Sequence, residues 1–258
     1  KKVIFCAGAL MFGAMTFAQQ NVSDVDQNGN SNKSSVNQVG TMHRASVDTD
    51  GDRNNASVDQ GTLDNKAWIK QVGNDNRATI GQNDEHSSLT GNNWAKQTQI
   101  GNSNRASIDQ DSPFGSGAND AGTTNSRAEQ VQRGNSNIAT IVQQNGKQNG
   151  HRSSQTQIGN SNNANDLQKG SNQKSTTLQR GDRNSSSVTQ NSWGHFSDVL
   201  QRGNDNRSTV YQNGGEHVSR VSSVGNNNRS NVMQNGSAHN SMVNQVGNSN
   251  ISTVSQMN

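Results

Sequence analysis

The sequence predicts an all-β fold: a flat β-solenoid of ten two-strand repeats of about 22 residues, stacked in an amyloid-like cross-β manner. Three observations lead there. A ten-residue pattern, G-[ND]-x-N-x-[AS]-x-[VI]-x-Q, begins at Gly29, Gly51, Gly73, Gly101, Gly134, Gly159, Gly181, Gly203, Gly225 and Gly247. Its small, apolar and amide positions stand two residues apart, which is the period of a strand. Hydrophobic residues make up only 26% of the 258-residue chain and aromatic ones 3%, too few for a conventional core. Such a composition alone suggests disorder, but disordered chains usually carry high net charge and have no use for a strict period, and this one sits at +3.

Within each copy the glycine suits a turn backbone of positive φ, and the Asn or Asp beside it tolerates that region. The strand that follows turns four side chains to one face. The first is an amide at Asn32, Asn54, Asn76, Asn104, Asn137, Asn162, Asn184, Asn206, Asn228 and Asn250. The last is an amide at Gln38, Gln60, Gln82, Gln110, Gln143, Gln168, Gln190, Gln212, Gln234 and Gln256. Between them stand Ala or Ser and then Val or Ile, except that the copy at Gly159 has Asp166 at the apolar position. Stacked on their equivalents, the amides should form ladders around a thin dry layer. Residues between them, such as Arg77, Thr79 and Gly81, face water.

In chain order, residues 1–18 come first: Lys1 and Lys2, an apolar run from Val3 to Phe17, and Thr16 and Ala18 at the small positions of a cleavage site. They read as a secretory signal peptide. The run is too short for a membrane anchor, and no membrane insertion of the mature chain is expected. Cys6 lies within it, so the mature chain has no cysteine and no disulfide or thiol chemistry. Without Lys1 and Lys2, the 22 basic residues become 20 against 19 acidic ones, a balance that calls for no specific nucleic acid.

The solenoid itself occupies residues 19–258. Between copies of the motif runs a second, looser strand, ending at Gln27, Thr49, Gln71, Gln99, Gln132, Gln157, Gln179, Gln201, Ser223 and Gln245. Three insertions, near residues 84–91, 111–125 and 145–150, lengthen the unit at one corner and should project from one edge. Gln97, Gln130, Gln155 and Thr177 replace Val or Ile in the looser strand, which makes the middle of the core the softest part.

Catalytic chemistry finds little support: Ser171 and Lys174 form S-x-x-K without a partner motif. Asp48, Asp50 and Asp52 lack the later ligands of a calcium loop and read as solvated turn residues. No cofactor or metal site is expected. His195, His217 and His239, 22 residues apart, should stack in a column, a candidate pH-sensitive element; the plainer reading is a corner side chain hydrogen-bonded like the Asn93 or Gln173 in its place elsewhere. Arg44, Arg77, Arg105, Arg207 and Arg229 point outward, where they keep the strands soluble or meet a polyanion. Trp68, Trp94, Trp193, Phe196 and Tyr211 are sparse and irregular, with no evident stacking platform.

The first and last coils are expected to offer strand edges to further copies, a head-to-tail interface that does not close and so builds a filament. The constellation Gln71, Gly73, Asn76, Ala78, Gln82, spelled Q-x-G-x-x-N-x-A-x-x-x-Q, resembles the curlin repeat of bacterial curli subunits. The resemblance implies a secreted functional amyloid, an extracellular fibre on the bacterial cell surface that gives the biofilm matrix adhesion and cohesion. It also implies export through an outer-membrane channel and a nucleator subunit. Family members commonly have Ser where this chain has His195, His217 and His239. The competing reading is a monomeric β-solenoid adhesin or a binder of ice or polysaccharide. A flat outward Thr array for ice is missing at Ser46, Ser57, Trp68 and Thr79.

Overall fold

The computed structural model describes residues 20–82, 91–111, 123–144 and 150–258. The signal-peptide reading of residues 1–18 and most of the three insertions lie outside them.

Each coil contributes two strands. In chain order these are β1 (Val22–Asn28) and β2 (Lys33–Thr41), β3 (Arg44–Asp50) and β4 (Asn55–Leu63), β5 (Lys66–Val72) and β6 (Arg77–Gln82), β7 (Trp94–Ile100) and β8 (Arg105–Gln110), and β9 (Arg127–Arg133) and β10 (Ile138–Gln144). The second half holds β11 (Arg152–Ile158) and β12 (Asn163–Ser171), β13 (Lys174–Arg180) and β14 (Ser185–Trp193), β15 (Phe196–Arg202) and β16 (Arg207–Gly215), β17 (Val218–Val224) and β18 (Arg229–Ser237), and β19 (Asn240–Val246) and β20 (Ile251–Met257). Odd strands form one parallel 10-stranded sheet and even strands another. The chain is thus a β-solenoid of ten turns.

Pairing joins equivalent positions throughout: Val25 lies beside Val47 and Ile80 beside Ile108. Because the side-chain period is two, this register keeps every inward residue inward, and a slip by one residue would put each on the wrong face. The result is strict alternation in β6 and β8, where Ala78, Ile80 and Gln82 and their equivalents Ala106, Ile108 and Gln110 are buried and the residues between them are partly or fully exposed. Equivalence also holds across the insertions, where Lys66 pairs with Trp94 and Trp94 with Arg127. The described flanks of the insertions, Gln82 and Gly91, Asp111 and Thr123, and Gln144 and Gly150, all stand at or just after the end of an even strand and before the next odd one.

Between the sheets the core is one layer of small side chains. Ala78, Ile80, Ala106, Ile108, Ala139 and Ile141 are buried, each larger one contributing about 1.5–3 kcal/mol. The apolar layer is interrupted. One cluster extends from Ala45 to Ile141 and a second from Val188 to Val243, and Gln155, Asp166 and Thr177 occupy the apolar positions between them.

At the motif corner Gly134 has φ +116, and a Cβ there would stand 2.1 Å from the carbonyl oxygen of Gly159 in the next coil. Glycine is needed both for the backbone angle and for the close approach. The second positive-φ residue corrects the sequence expectation: it is not the Asn or Asp beside the glycine but the residue after it, Asp75 (φ 57) or Ser103 (φ 57), for example. The other corner is built alike, with Gly214 (φ 117) followed by Glu216 (φ 56) and His217. Each coil therefore consists of two pseudo-equivalent halves.

Candidate functional site: the amide ladders

The inward glutamines form continuous ladders. Gln60 Nε2 donates to Gln82 Oε1 at 2.8 Å, Gln82 to Gln110 at 2.8 Å, and Gln110 to Gln143 at 2.8 Å. The second hydrogen of the same amide crosses to the opposite sheet, as from Gln82 to the Lys66 carbonyl at 3.2 Å. A Gln at this place ties coil to coil and sheet to sheet, which is why a carboxylate or an aliphatic side chain would not replace it. The looser strands carry their own ladder, Gln71 to Gln99 at 2.8 Å and Gln99 to Gln132 at 2.9 Å.

The motif asparagines use both ends of the amide too. Asn76 Oδ1 accepts the backbone N–H of Asn104 at 3.0 Å, and Asn76 Nδ2 donates to the Gly101 carbonyl at 2.7 Å. The neighbouring [ND] position does a different job. Asn74 Oδ1 accepts the Asp52 N–H at 2.8 Å, Asp52 Oδ1 accepts the Asn30 N–H at 2.7 Å, and only the oxygen is required for that bond. Hence Asp is found at the second motif position and never at the fourth. This ladder, running along the outside of the corner, was not anticipated from the sequence, although the [ND]-versus-N contrast was its signal.

Gln97, Gln130 and Gln155, read as a soft region, form a third inner ladder at 3.0 Å per step, and each also donates to a carbonyl of the other sheet. They replace apolar contact by hydrogen bonds, and the Oε1 of Gln97, at the start of the column, is left buried without a partner.

The histidines take the place of the motif Asn at the second corner. His195 Nε2 donates to the Asn191 carbonyl at 2.6 Å, and its Nδ1 accepts the His217 N–H at 3.3 Å. His217 repeats the pattern with Asn213 and with the His239 N–H at 3.1 Å. The rings stack 5.1 and 5.0 Å apart, nearly parallel. Asn65 does the same work through Nδ2 to the Gly61 carbonyl and Oδ1 to the Asn93 N–H. Imidazole here is a long amide: the proton sits on Nε2, and no lone pair of His195 or His217 is left for a metal. Burial lowers the basicity of His43 and His195, and that of His151 to about 4.

The outer surface departs from the sequence reading at one place. Because the first insertion separates equivalents by 28 residues, Trp94 lies in the coil next to Trp68, with ring centroids 5.5 Å apart, and the Arg127 guanidinium covers its other side at 3.9 Å. Trp68, Trp94, Asp48 and Lys70 line a shallow groove, in which Lys70 and Asp48 pair at 2.7 Å. Arg53 and Asp75, and Arg183 and Asp205, pair at 2.7 Å along the corner, each Arg holding the carboxyl of its partner below the usual range. Arg44, Arg77, Arg105, Arg207 and Arg229 are exposed. Among the described residues no group of three His, Cys, Asp or Glu is placed to hold a metal.

Residues 51–83 match the family model of the Curlin associated repeat, which supports a curlin-family relationship for the chain. No curated protein matches it.

Proposed function

From the curlin-family relationship as premise, we propose that this chain is a secreted structural subunit, without enzymatic activity, that polymerises head-to-tail into extracellular fibres of a bacterial biofilm matrix, giving it adhesion and cohesion. The partner is first another copy of itself; by resemblance, a nucleator subunit and an outer-membrane secretion channel complete the pathway.

One observation carries the reading. The outermost coils present the same inward side chains. β20 offers Ser252, Val254 and Gln256 where β2 has Ser34, Val36 and Gln38, and β19 offers Ser241, Val243 and Gln245 where β1 has Ser23, Val25 and Gln27. A further copy set on β19 and β20 meets the register that joins any two coils within the chain. Gln256 Nε2 would continue its ladder onto Gln38 Oε1, and the Asn21 N–H would reach His239 Nδ1 as the His239 N–H reaches His217. Two edges of one stack, complementary but on opposite ends, add without closing.

Electron microscopy and fibre diffraction of the purified chain test this. Unbranched fibres with reflections near about 4.7 and 10 Å support it. The double substitution Val36→Lys with Val254→Lys should abolish fibres while leaving the folded chain intact. Monodisperse soluble particles of the unsubstituted chain would favour a monomeric solenoid adhesin or ligand-binding protein instead.

A further inference from the structure

Asp166 is fully buried on β12, at the place where the other even strands carry Val or Ile. Its ladder neighbours are Ile141 on β10 and Val188 on β14. One carboxylate oxygen accepts from the Ser153 hydroxyl of β11, and the other has no hydrogen-bond partner. The Ser175 hydroxyl on β13 is unpaired as well. This is where the apolar layer divides, the first cluster ending at Ile141 and the second starting at Val188.

Inward positions of the surrounding strands offer no countercharge. They are Ile141 on β10, Ser153 and Gln155 on β11, Ser175 and Thr177 on β13, and Val188 on β14. The charged residues on these elements, Arg152, Lys169, Lys174 and Arg180, lie at outward or corner positions of their strands. The nearest inward titratable group is His151, just before β11, whose Nε2 donates to the Gln144 carbonyl. A neutral carboxylic acid can stay here with one serine as partner; a carboxylate cannot without water or cation, because a buried unpaired charge costs several kcal/mol.

We propose that Asp166 is a pH-controlled parting line of the stack: protonated, it joins the two apolar halves, and ionised, it opens the sixth coil between β10 and β14. Burial pushes the Asp166 carboxyl up to about 7 against the weaker pull of the Ser153 hydroxyl, so the change falls near neutral pH. For fibres, which is the part that rests on the polymerisation reading, the consequence is a coil that loosens in alkaline surroundings and consolidates in acid. The opening itself needs only the folded chain.

Hydrogen exchange of the full chain, followed peptide by peptide at pH 5 and pH 8 with the intrinsic exchange rate factored out, tests it. In the unsubstituted chain, protection of the β12 segment and its flanks in β10 and β14 should fall by about a hundredfold between the two conditions, tenfold for each unit below the folded value. In Asp166→Asn and Asp166→Val it should not fall, while β4 and β18 behave alike in all three chains. Equal pH dependence at β12 in the unsubstituted and both substituted chains would overturn the proposal. So would a loss of protection spread evenly over all coils. Because protection is read coil by coil, a chain that forms no fibres still decides the matter, and the two failures are distinguishable.

Discussion

Replacing Gln143 with leucine isolates what the ladders contribute. Gln143 is wholly buried; its Oε1 accepts from Gln110 at 2.8 Å, and its Nε2 donates to Gln168 at 2.8 Å and to the Arg127 carbonyl at 3.2 Å. Leucine keeps nearly the volume and adds an apolar gain of about 2 kcal/mol. It also leaves one hydrogen of Gln110 and the oxygen of Gln168 without partners, and takes from the Arg127 carbonyl a second donor beyond the one its own sheet supplies. At about 2 kcal/mol for each of the two orphaned groups, the net cost is about 2 kcal/mol. Gln256→Leu, at the half-exposed last coil, breaks the single ladder bond from Gln234 and should cost about 1 kcal/mol or less. The assay is guanidinium unfolding at fixed chain concentration, followed by far-ultraviolet circular dichroism. A Gln143→Leu chain as stable as the original would refute the reasoning and assign the cohesion to burial alone.

Four further outcomes are expected. Asn74→Asp should be nearly neutral, since only the Oδ1 it keeps is used, whereas Asn76→Asp sets a buried oxygen against the Gly101 carbonyl and should cost roughly 3 kcal/mol or more in the same unfolding assay. Gly134→Ala combines a forbidden backbone angle with a clash against Gly159; the cost should exceed about 3 kcal/mol, visible as loss of folded chain. His151 has its basicity lowered by burial from 6.5 to about 4, so the unfolded chain takes up the proton first as pH falls, and stability drops between those values. The loss is about 3 kcal/mol, and His151→Asn, with the residue found at Asn65 and Asn93, should remove it in unfolding curves taken at pH 7 and pH 4. Arg53→Ala breaks a fully exposed pair with Asp75 and should leave the unfolding midpoint unchanged.

Much of this was legible in the chain because the decisive signals are local and repeated. Alternation of Ala78, Ile80 and Gln82 with Arg77, Thr79 and Gly81 states which face is dry, and recurrence at 22 residues states what stacks on what. Less legible was whatever depends on two coils at once. The [ND] position looked like turn chemistry, and only contact between coils reveals that Asn74 supplies an acceptor to Asp52. Gln97 read as a soft spot, and only its neighbours Gln130 and Gln155 reveal a column in which each amide nitrogen finds an acceptor, because a buried amide is costly alone and better satisfied in a column. Trp68 and Trp94 looked unrelated because an insertion of irregular length hides their adjacency.

The sequence by itself therefore determined the fold class, the strand faces, the glycine corners and the motif Asn and Gln columns, since a side-chain period of two and a repeat of 22 are properties of a single chain. Tertiary structure alone decided the proton positions of His195 and His217, the isolation of Asp166 and the division of the core into two apolar clusters. Those depend on which atoms of neighbouring coils come within hydrogen-bonding distance, and on how much water the stacked sheets exclude between them.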